Sequence, residues 1–428
     1  MLWLEDIHKL VSWQKKDILS YSNLKSEDMP PILFKDNMPA LQNKDYFNYG
    51  GQGPLPTQSL NAITSSWQTI QKLGPFTNNV WPYITKEVIT TKNLIAEICS
   101  IHPKRIAFTE NVTSGCILPL LGLPFSDGDN LLISDCEHPG IVAACKELAR
   151  KKNLTITILP VLKICNGNDK EDETYKKILK LIDEHLQINT KLVVLSHLLW
   201  NTGQIMPIEL ISKRLKEHSS KPYLLVDAAQ SFCHIPIKGA CDNADIYAFT
   251  GHKWAYGPEG LGAVALSTRV LEESSPTLIG WKSLKVEEGI HVNNEAPFHS
   301  DGRRFEIATS CVPLLAGLRS SLIMLKNEGH DTERFCKIKS LSSILWQKLN
   351  KIKNIELVLN CPPPSGIISF NINGIKSPEE VVNYLGQENL WIRVLEDPKW
   401  LRACVHITTD LNEINNLVIG LKNFISTK

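Results

Sequence analysis

Two short apolar runs, each ending abruptly in polar residues, constrain the fold of this chain more than any other feature. Residues 223–226 (YLLV) and 246–249 (IYAF) have the length and the β-branched or aromatic content of buried strands. The polar residues that follow them are Asp227, Gln230, Thr250, His252 and Lys253. Ligands of open α/β sheets bind beyond the carboxyl ends of the strands. We therefore expect these side chains to converge on one crevice.

An acid and a lysine at adjoining strand ends are groups that pyridoxal phosphate (PLP) requires. The lysine amine binds the aldehyde of the cofactor, and an acid beside the pyridine nitrogen keeps that nitrogen protonated. Lys253 and Asp227 fit these two roles. Either residue alone is more often a solvated lysine or a helix cap, whereas the two in this arrangement predict a PLP site.

The same residues carry a resemblance to a known family. Residues 227–230 (DAAQ) and 250–253 (TGHK) resemble two elements of the class-V branch of PLP enzymes with the aspartate-aminotransferase fold, the branch that contains cysteine desulfurases. The resemblance extends from Tyr46 to about Leu417 and is strongest to the cysteine/cystine C–S lyases. It implies a fold-type-I α/β structure, with a mainly parallel seven-stranded sheet between helices and a smaller α+β domain.

The alternation of strand and helix patterns predicts the same fold class independently. Between residues 105 and 266, apolar runs alternate with helical stretches, which is typical of a parallel sheet covered by helices on both faces. A chain of 428 residues normally forms two domains. We expect a large PLP-binding domain at 46–300 and a small domain at 301–428. Residues 1–45, which include a helical pattern at 3–20, are expected to pack on the small domain.

Further candidate cofactor residues lie at the starts of predicted helices. The turn at 110–116 opens an apolar helix, and backbone N–H groups with nearby hydroxyls at such a point can bind phosphate, although a simple helix cap is the commoner arrangement. The resemblance implies that Thr113 and Ser114 hold the PLP phosphate, that His138 stacks on the ring and assists proton transfer, and that Asn201, next to Trp200, bonds the phenolic oxygen. The full set of expected cofactor residues is Thr113, Ser114, His138, Asn201, Asp227, Gln230, Thr250, His252, Lys253 and Thr309.

Two other regions are expected to bind the substrate. Residues 46–54 (YFNYGGQGP) predict a short strand and a glycine-rich turn, either an ordinary turn or one that a ligand approaches closely. The resemblance implies that Asn48, Gly51 and Gln52 lie beside the substrate. The planar fork of arginine pairs with carboxylates through two hydrogen bonds. Arg402 matches the substrate-carboxylate arginine of the family, and Arg393 matches a second arginine of the C–S lyases.

Two segments, 276–281 (PTLIGW) and 304–309 (RFEIAT), resemble family segments that cross a dimer interface. Thr309 would then bind the phosphate of the neighbouring subunit's cofactor, and the expected active unit is a homodimer. The alternative for Arg304 and Glu306 is an ordinary surface ion pair.

The residues between Arg393 and Arg402 determine which reaction we expect. Cysteine desulfurases carry a nucleophilic cysteine there, whereas residues 394–401 contain none, and Cys404 follows in a strand where it is expected to be packed. We expect a PLP-dependent β-eliminating lyase that acts on cystine, cysteine or a related S-substituted cysteine. Its catalytic residues would be Lys253, Asp227 and His138, and its products pyruvate, ammonia and a persulfide or sulfide. The alternatives are a class-V aminotransferase or epimerase, a cysteine desulfurase, and a PLP-binding protein without turnover.

Charge and cysteine content argue against other classes of protein. A net charge of +1 argues against a dedicated nucleic-acid or membrane-surface role. Eleven scattered cysteines without a C-x-x-C pair predict reduced thiols and no metal site. The charged N-terminal sequence and the lack of long apolar runs predict a cytoplasmic protein without a signal peptide or membrane span. A nucleotide-binding Rossmann fold is disfavoured because no G-x-G-x-x-G follows the first strand.

Overall fold

The computed structural model describes residues 35–165, 171–285 and 298–427, which form three β-sheets and the helices that cover them. The helical pattern predicted at 3–20 lies outside these residues. The strands of the described part are β1 (Asp45–Tyr46), β2 (Ile106–Thr109), β3 (Asn130–Ser134), β4 (Thr155–Leu159), β5 (Thr190–Ser196), β6 (Tyr223–Asp227), β7 (Ile246–Thr250), β8 (Gly262–Leu266), β9 (Ile355–Leu357), β10 (Ile367–Ile372), β11 (Leu390–Trp391), β12 (Arg393–Val394) and β13 (Leu401–Cys404). Its α-helices are α1 (Thr57–Leu73), α2 (Val80–Cys99), α3 (Val112–Gly122), α4 (Pro139–Lys152), α5 (Leu162–Cys165), α6 (Glu171–His185), α7 (Ile208–Glu217), α8 (Lys238–Asn243), α9 (Thr268–Glu273), α10 (Val312–Asn327), α11 (Asp331–Leu349), α12 (Pro378–Gln387) and α13 (Leu411–Ser426).

The central sheet has seven strands in the order β2-β8-β7-β6-β5-β3-β4. Strands β7, β6, β5, β3 and β4 run parallel to one another, whereas β8 is antiparallel to both β7 and β2. The eleven residues 251–261 that join β7 to β8 are too few for a parallel crossover, which needs a dozen or more. The expected mainly parallel sheet is therefore confirmed, with β8 as its one reversed strand.

Both faces of this sheet are buried except along the edge strand β4, which explains why the inner strands read as continuous apolar runs. Along β6, Leu224 and Val226 join one apolar cluster, whereas Tyr223 and Leu225 join the cluster on the opposite face. Burial on both faces leaves the carboxyl ends of the strands as the place where polar side chains emerge. Asp227 is the last residue of β6, and Thr250 is the last residue of β7.

The C-terminal part forms a four-stranded antiparallel sheet in the order β12-β13-β10-β9. Strand β1 pairs in parallel with β11, and Asn416 Nδ2 donates to Asp45 Oδ2 at 2.8 Å. The described end of segment 1–45 therefore contacts the C-terminal α+β part. This contact also brings the loop after β1 to the edge of the site described below.

The domain boundaries predicted at 46–300 and 301–428 stay a prediction. Helix α10 packs on α1 and α2, with Ser59 and Ser321 hydroxyls 2.7 Å apart and Arg319 paired with Glu87 at 2.8 Å. These contacts tie α10 to the part of the chain that carries the central sheet. The packing favours a boundary after α10 rather than before it.

The surface ion pair considered for Arg304 and Glu306 is not formed. Glu306 is 6% exposed, lies 2.6 Å from Lys92 Nζ, and accepts a hydrogen bond from the Phe108 backbone at 3.1 Å. Arg304 instead donates to the carbonyls of Leu271 and Ser274. Arg304 therefore attaches the 302–306 turn to the end of α9, whereas Glu306 attaches the same turn to α2 and β2.

Among the described residues, we find no helix with the length and apolar character needed to cross a membrane.

We expect Glu306→Ala to lower the free energy of unfolding by about 3 kcal/mol, because it leaves the mostly buried Lys92 ammonium without its partner. Urea unfolding at a fixed protein concentration measures this loss of unfolding free energy. The matched control is Glu97→Ala, which removes an exposed pair with Lys326 and should cost less than about 1 kcal/mol. Equal losses of unfolding free energy in the two variants would show that the buried pair of Lys92 and Glu306 is not what stabilises this turn.

Candidate active site

Lys253 lies in the turn between β7 and β8, at the carboxyl end of the central sheet. Burial lowers the pKa of its amine to about 8, an effect opposed by the negative charge of Asp227 and reinforced by Arg402 and Arg393. A lysine amine with such a pKa has a substantial neutral fraction near physiological pH. Lys253 can therefore act as a nucleophile or as a base.

Asp227 lies at the end of the neighbouring strand β6 and is 6% exposed. Its Oδ1 accepts a hydrogen bond from the Ala229 backbone at 2.8 Å. Burial raises the pKa of the carboxyl, whereas the Ala229 hydrogen bond and the charges of Lys253 and His138 lower it. The structure thus brings together the predicted acid and the predicted lysine.

His138 precedes helix α4, and its Nδ1 accepts a hydrogen bond from the Gly140 backbone at 3.2 Å. The remaining ring proton is therefore on Nε2. Burial and the charges of Lys253 and Arg393 lower the pKa of the imidazole, whereas Asp227 raises it. The exposed ring also contacts Trp200, with centroids 6.2 Å apart. A neutral imidazole is thus held in the field of the lysine and the acid.

Arg402 is the most unusual group of the site, because it is a guanidinium that is only 2% exposed. Its Nη1 donates to the Trp200 carbonyl at 3.0 Å, whereas its buried Nε and Nη2 have no partner among the described residues. These two nitrogens form one edge of the guanidinium, the edge that binds a carboxylate through two parallel hydrogen bonds. A buried cation with an open fork is costly unless an anion pairs with it.

Arg393 lies directly opposite Arg402 in the β12-β13 pair. Its side chain is exposed, and the described residues provide it with no ion pair. Like charges opposite each other on neighbouring strands destabilise a sheet, so a bound anion between them would offset this cost. The two predicted substrate arginines are therefore adjacent, and both influence Lys253.

The glycine-rich loop after β1 lies between Lys253 and Arg402. A Cβ on Gly53 would lie 2.0 Å from the Lys253 carbonyl oxygen, and a Cβ on Gly50 would lie 3.1 Å from the Arg402 guanidinium carbon. Only glycine therefore allows the loop to approach both residues so closely. The sequence indicated this loop through Asn48, Gly51 and Gln52 but did not single out Gly50 or Gly53.

The three predicted substrate residues of this loop have different surroundings. Asn48 has a buried Oδ1 without a partner among the described residues, and a Cβ on Gly51 would lie 2.7 Å from the Asn48 amide. Gln52 is exposed and donates to Glu259. Asn48 therefore has an atom available for a ligand, whereas the Gln52 amide binds protein.

Gln230 holds the loop in place. Its Nε2 donates to the Gly50 carbonyl at 2.9 Å, and its Oε1 accepts from the Trp254 indole at 2.8 Å. Trp254, the neighbour of Lys253, also stacks on His234 with centroids 3.4 Å apart. Gln230 thus connects the loop to the lysine turn, and its predicted contact with the cofactor stays a prediction.

The remaining predicted cofactor residues lie at element ends. Thr250 and His252 share a hydrogen bond of 2.7 Å, and burial lowers the pKa of His252. Thr113 and Ser114 lie in the first turn of α3, where Asn111 caps the Ser114 backbone at 2.9 Å and the described residues offer their hydroxyls no partner. Thr309 is exposed, and no described contact joins it to Lys253 of the same chain. Their roles stay predictions.

Glu137 is a buried site residue that sequence reasoning missed. Its carboxyl accepts hydrogen bonds from the Ser134 hydroxyl at 2.5 Å and from the Ser196 backbone and hydroxyl, both at 2.8 Å. Burial raises its pKa to about 8, and the charge of Asp227 adds to this effect. The signal in the sequence was its position directly before His138 at the end of a strand.

Cys404 is fully buried in β13, where its backbone N–H donates to the Phe47 carbonyl at 2.7 Å. Burial raises the pKa of the thiol, although Arg402 and the Gly50 backbone lower it. A protonated, enclosed thiol is a weak nucleophile. No group of three or more His, Cys, Asp or Glu side chains in the described ranges is arranged to hold a metal.

Comparisons with known proteins agree with this geometry. The family model described as aminotransferase class-V matches residues 76–416. Probable cysteine desulfurases of Pyrococcus abyssi and Pasteurella multocida are both 26% identical to the chain, over 363 and 398 residues. The first alignment covers 80% of this chain and 84% of the relative, and the second covers 89% and 88%.

Solved structures with more than a third of their residues identical share the whole fold. A complex of the cystine C–S lyase C-DES with its reaction product cysteine persulfide has a TM-score of 0.83 and 36% identity, covering 90% of this chain and 98% of that one. A lysine-to-alanine variant of C-DES, with glycine covalently linked to its PLP cofactor, has a TM-score of 0.84 and 35% identity, covering 92% and 99%.

Proposed function

We propose that this chain, which belongs to the aminotransferase class-V family, is a PLP-dependent C–S lyase that acts on cystine, cysteine or a related S-substituted cysteine. The proposal rests on the buried Arg402, whose Nε and Nη2 have no partner among the described residues and could bind the carboxylate of a substrate. Arg402 is close enough to Lys253 for its charge to lower the pKa of that amine. An amino acid bound there by its carboxylate would present its α-carbon to the lysine. The same arrangement suits any enzyme that removes the α-proton of an amino acid.

The residues at the strand ends fit PLP. Lys253 would hold it covalently, Asp227 would bind its pyridine nitrogen, and the helix start at Thr113 and Ser114 would bind its phosphate. The hydroxyls of these two residues, which have no partner in the part of the chain that the structure describes, support this fit, as does the buried Asp227 carboxyl beside a lysine of lowered pKa. PLP supplies an electron sink that makes the α-proton of the substrate acidic.

Four of the chain's own side chains act in the proposed elimination. The Lys253 amine would take the α-proton of the bound amino acid, and His138 would assist through Nε2. The bond between Cβ and sulfur then breaks, and its electron pair leaves with the sulfur. Addition of water to the remaining aminoacrylate gives pyruvate and ammonia. Arg402 and Arg393 hold the carboxylate throughout.

The choice of a lyase over a cysteine desulfurase rests on the thiols. Residues 394–401 contain no cysteine, and the Cys404 thiol is buried with a raised pKa. The likeness to C-DES supports the lyase, whereas the curated relatives named as probable desulfurases support the alternative. A class-V aminotransferase or epimerase would share the carboxylate site, and its products would differ.

We also propose a homodimer, because the segment predicted to cross an interface carries exposed apolar side chains. Leu278, Ile279 and Trp281 are each about half exposed. The Gly280 backbone lies against that of Ile307, so this patch adjoins the exposed Thr309. A second copy would cover the patch and bring Thr309 to the other subunit's cofactor. A cytoplasmic location remains a proposal from the sequence.

The decisive experiment incubates the PLP-loaded protein with cysteine, cystine and other amino acids while pyruvate, keto acids, sulfide and persulfide are measured. We expect pyruvate with equimolar ammonia from a sulfur amino acid. Lys253→Ala should lose turnover because no base remains for the α-proton, and Cys404→Ala should stay within a few-fold of the wild type.

Two outcomes would contradict the lyase, and a third would contradict the assignment of Lys253 as its base. Transfer of the amino group to a keto acid would indicate an aminotransferase. A persulfide trapped on Cys404 by mass spectrometry, together with loss of turnover in a folded Cys404→Ala protein, would indicate a desulfurase. Turnover retained in Lys253→Ala would remove the assigned base.

Arg402→Lys tests the carboxylate fork, since lysine keeps the charge but cannot form two parallel hydrogen bonds. We expect kcat/KM to fall by an amount equivalent to about 1–3 kcal/mol. Arg150→Lys, on an exposed face of α4, is the matched control and should leave kinetics unchanged. Identical kinetics of the Arg402→Lys protein and the wild type would exclude the fork.

Trp281→Asp tests the dimer, because a charge in the covered patch would be buried against the second copy. Sedimentation velocity should show a dimer for the wild type and weakened association for the variant. Asp at the exposed Ile188, which lies outside the patch, is the control. A wild-type monomer at every concentration would contradict the proposal.

A further inference from the structure

Every second residue in the segment 402–408 forms a hydrogen bond with another part of the candidate site. The pairs, with distances between 2.7 and 3.0 Å, are Arg402 with Trp200, Cys404 with Phe47, His406 with Trp254, and Thr408 with Tyr49. Trp254 directly follows Lys253 in the chain. The segment that carries the carboxylate fork therefore also contacts the turn that carries the lysine.

His406 makes the contact with the lysine turn. The residue is fully buried, and its Nδ1 accepts a hydrogen bond from the Ile407 N–H at 2.7 Å. Nε2 therefore carries the ring proton and donates it to the Trp254 carbonyl at 3.0 Å. Burial lowers the pKa of the imidazole to about 3, so the ring is neutral at physiological pH. This bond fixes the peptide group next to Lys253.

His234 packs on the same tryptophan and connects it to a second strand. Its ring stacks on the indole of Trp254, with centroids 3.4 Å apart. Its Nε2 accepts a hydrogen bond from the Gly366 N–H at 2.9 Å, so its Nδ1 donates to the Gln230 carbonyl, also at 2.9 Å. Gly366 precedes β10, the strand that pairs with β13. The lysine turn is therefore attached to two neighbouring strands of the C-terminal sheet.

Thr408 connects the lysine turn to the glycine-rich loop. Its Oγ1 lies 2.8 Å from the Tyr49 hydroxyl and 2.9 Å from the Tyr256 hydroxyl. Tyr256 also donates its backbone N–H to the Lys253 carbonyl at 3.2 Å. All three hydroxyl side chains are buried, so breaking this arrangement would leave polar groups unpaired in the interior. The loop, the lysine turn and the segment after β13 are thus held against one another.

We propose that His406 is a positioning residue that sets the distance between the carboxylate fork of Arg402 and the amine of Lys253. The fork and the imidazole lie four residues apart on one segment, and the bond to Trp254 holds the lysine turn against that segment. A substrate bound by its carboxylate would present its α-hydrogen to the lysine only while this bond is in place. The inference rests on the roles proposed for Arg402 and Lys253.

Two substitutions of His406 separate the two hydrogen bonds of the imidazole. The amide of His406→Asn can accept the Ile407 N–H but is too short to reach Trp254, whereas the longer amide of His406→Gln places a donor near the position of Nε2. In the PLP-loaded protein we expect His406→Asn to lower kcat by about tenfold or more and to change KM by less than about threefold, because the fork remains while the α-carbon is misplaced. His406→Gln should recover most of the lost kcat.

The matched control is His185→Asn, which removes an imidazole contact of 2.8 Å with the Leu181 carbonyl on α6. This variant should leave both kcat and KM unchanged.

A second measurement does not depend on turnover. Acetylation of the cofactor-free, full-length chain by acetic anhydride at several pH values, followed by mass spectrometry, measures the pKa of Lys253. We expect a pKa of about 8 in the wild type, because burial lowers it. We expect a higher pKa in His406→Asn, because the released turn admits water to the amine, and a return toward the wild-type pKa in His406→Gln.

An unchanged kcat in a folded His406→Asn protein, or an equal loss of kcat in the two variants, would overturn the positioning role. An unchanged pKa of Lys253 in His406→Asn would do the same. If His406→Asn did not fold, Thr408→Val would decide the matter: it removes one hydroxyl at constant shape and should also raise the pKa of Lys253, and an unchanged pKa would overturn the role. If the wild type turned over no amino acid while the pKa differed as expected, the lyase function would fail and the positioning role would stand.

Discussion

The loss of solvent around two neighbouring cations is the constraint on which this structure depends. Arg402 is buried and Lys253 is partly buried, and burial lowers the pKa of both groups. Asp227 is the carboxylate that most directly offsets the charge of Lys253. The fold can tolerate the arrangement because the lysine can lose its proton, whereas the arginine cannot and so keeps an open fork for an anion. An amino-acid carboxylate is the ligand that would relieve this cost.

The surrounding residues hold these cations in place through contacts with backbone atoms. The Trp200 carbonyl fixes one nitrogen of Arg402, and Gln230 connects Gly50 to the indole of Trp254. Glycines at the points of closest approach let the loop pack where a side chain would collide with backbone or guanidinium atoms. The geometry of the candidate site therefore depends on three segments, far apart in sequence, that meet at the edge of one sheet.

The parts of this site that the sequence revealed are those with a local signal. Asp227 and Lys253 follow buried strands, so an abrupt change from apolar to polar residues was enough to place them. The reversed direction of β8, the packing of α10, the pairing of Glu306 with Lys92 and the carbonyl contact of Arg402 depend on residues distant in sequence. A single sequence carries no local pattern for such contacts, because many partners would satisfy the same group. The fold class and the PLP cofactor were therefore predictable, whereas the supports of the candidate site were not.

Glu137 shows how the protein keeps a second buried carboxyl from disturbing the first. Asp227 has Lys253 nearby, and the charge of the lysine favours the ionised form of the carboxyl. Glu137 has hydrogen bonds from Ser134 and Ser196 but no cation among the groups that shift its pKa, which rises to about 8. At neutral pH most of Glu137 is therefore protonated, so it adds little negative charge beside Asp227. Two carboxyls in one interior thus divide their roles: one holds charge for the lysine, and the other joins β3 to β5 as a largely neutral group beneath the turn that carries His138.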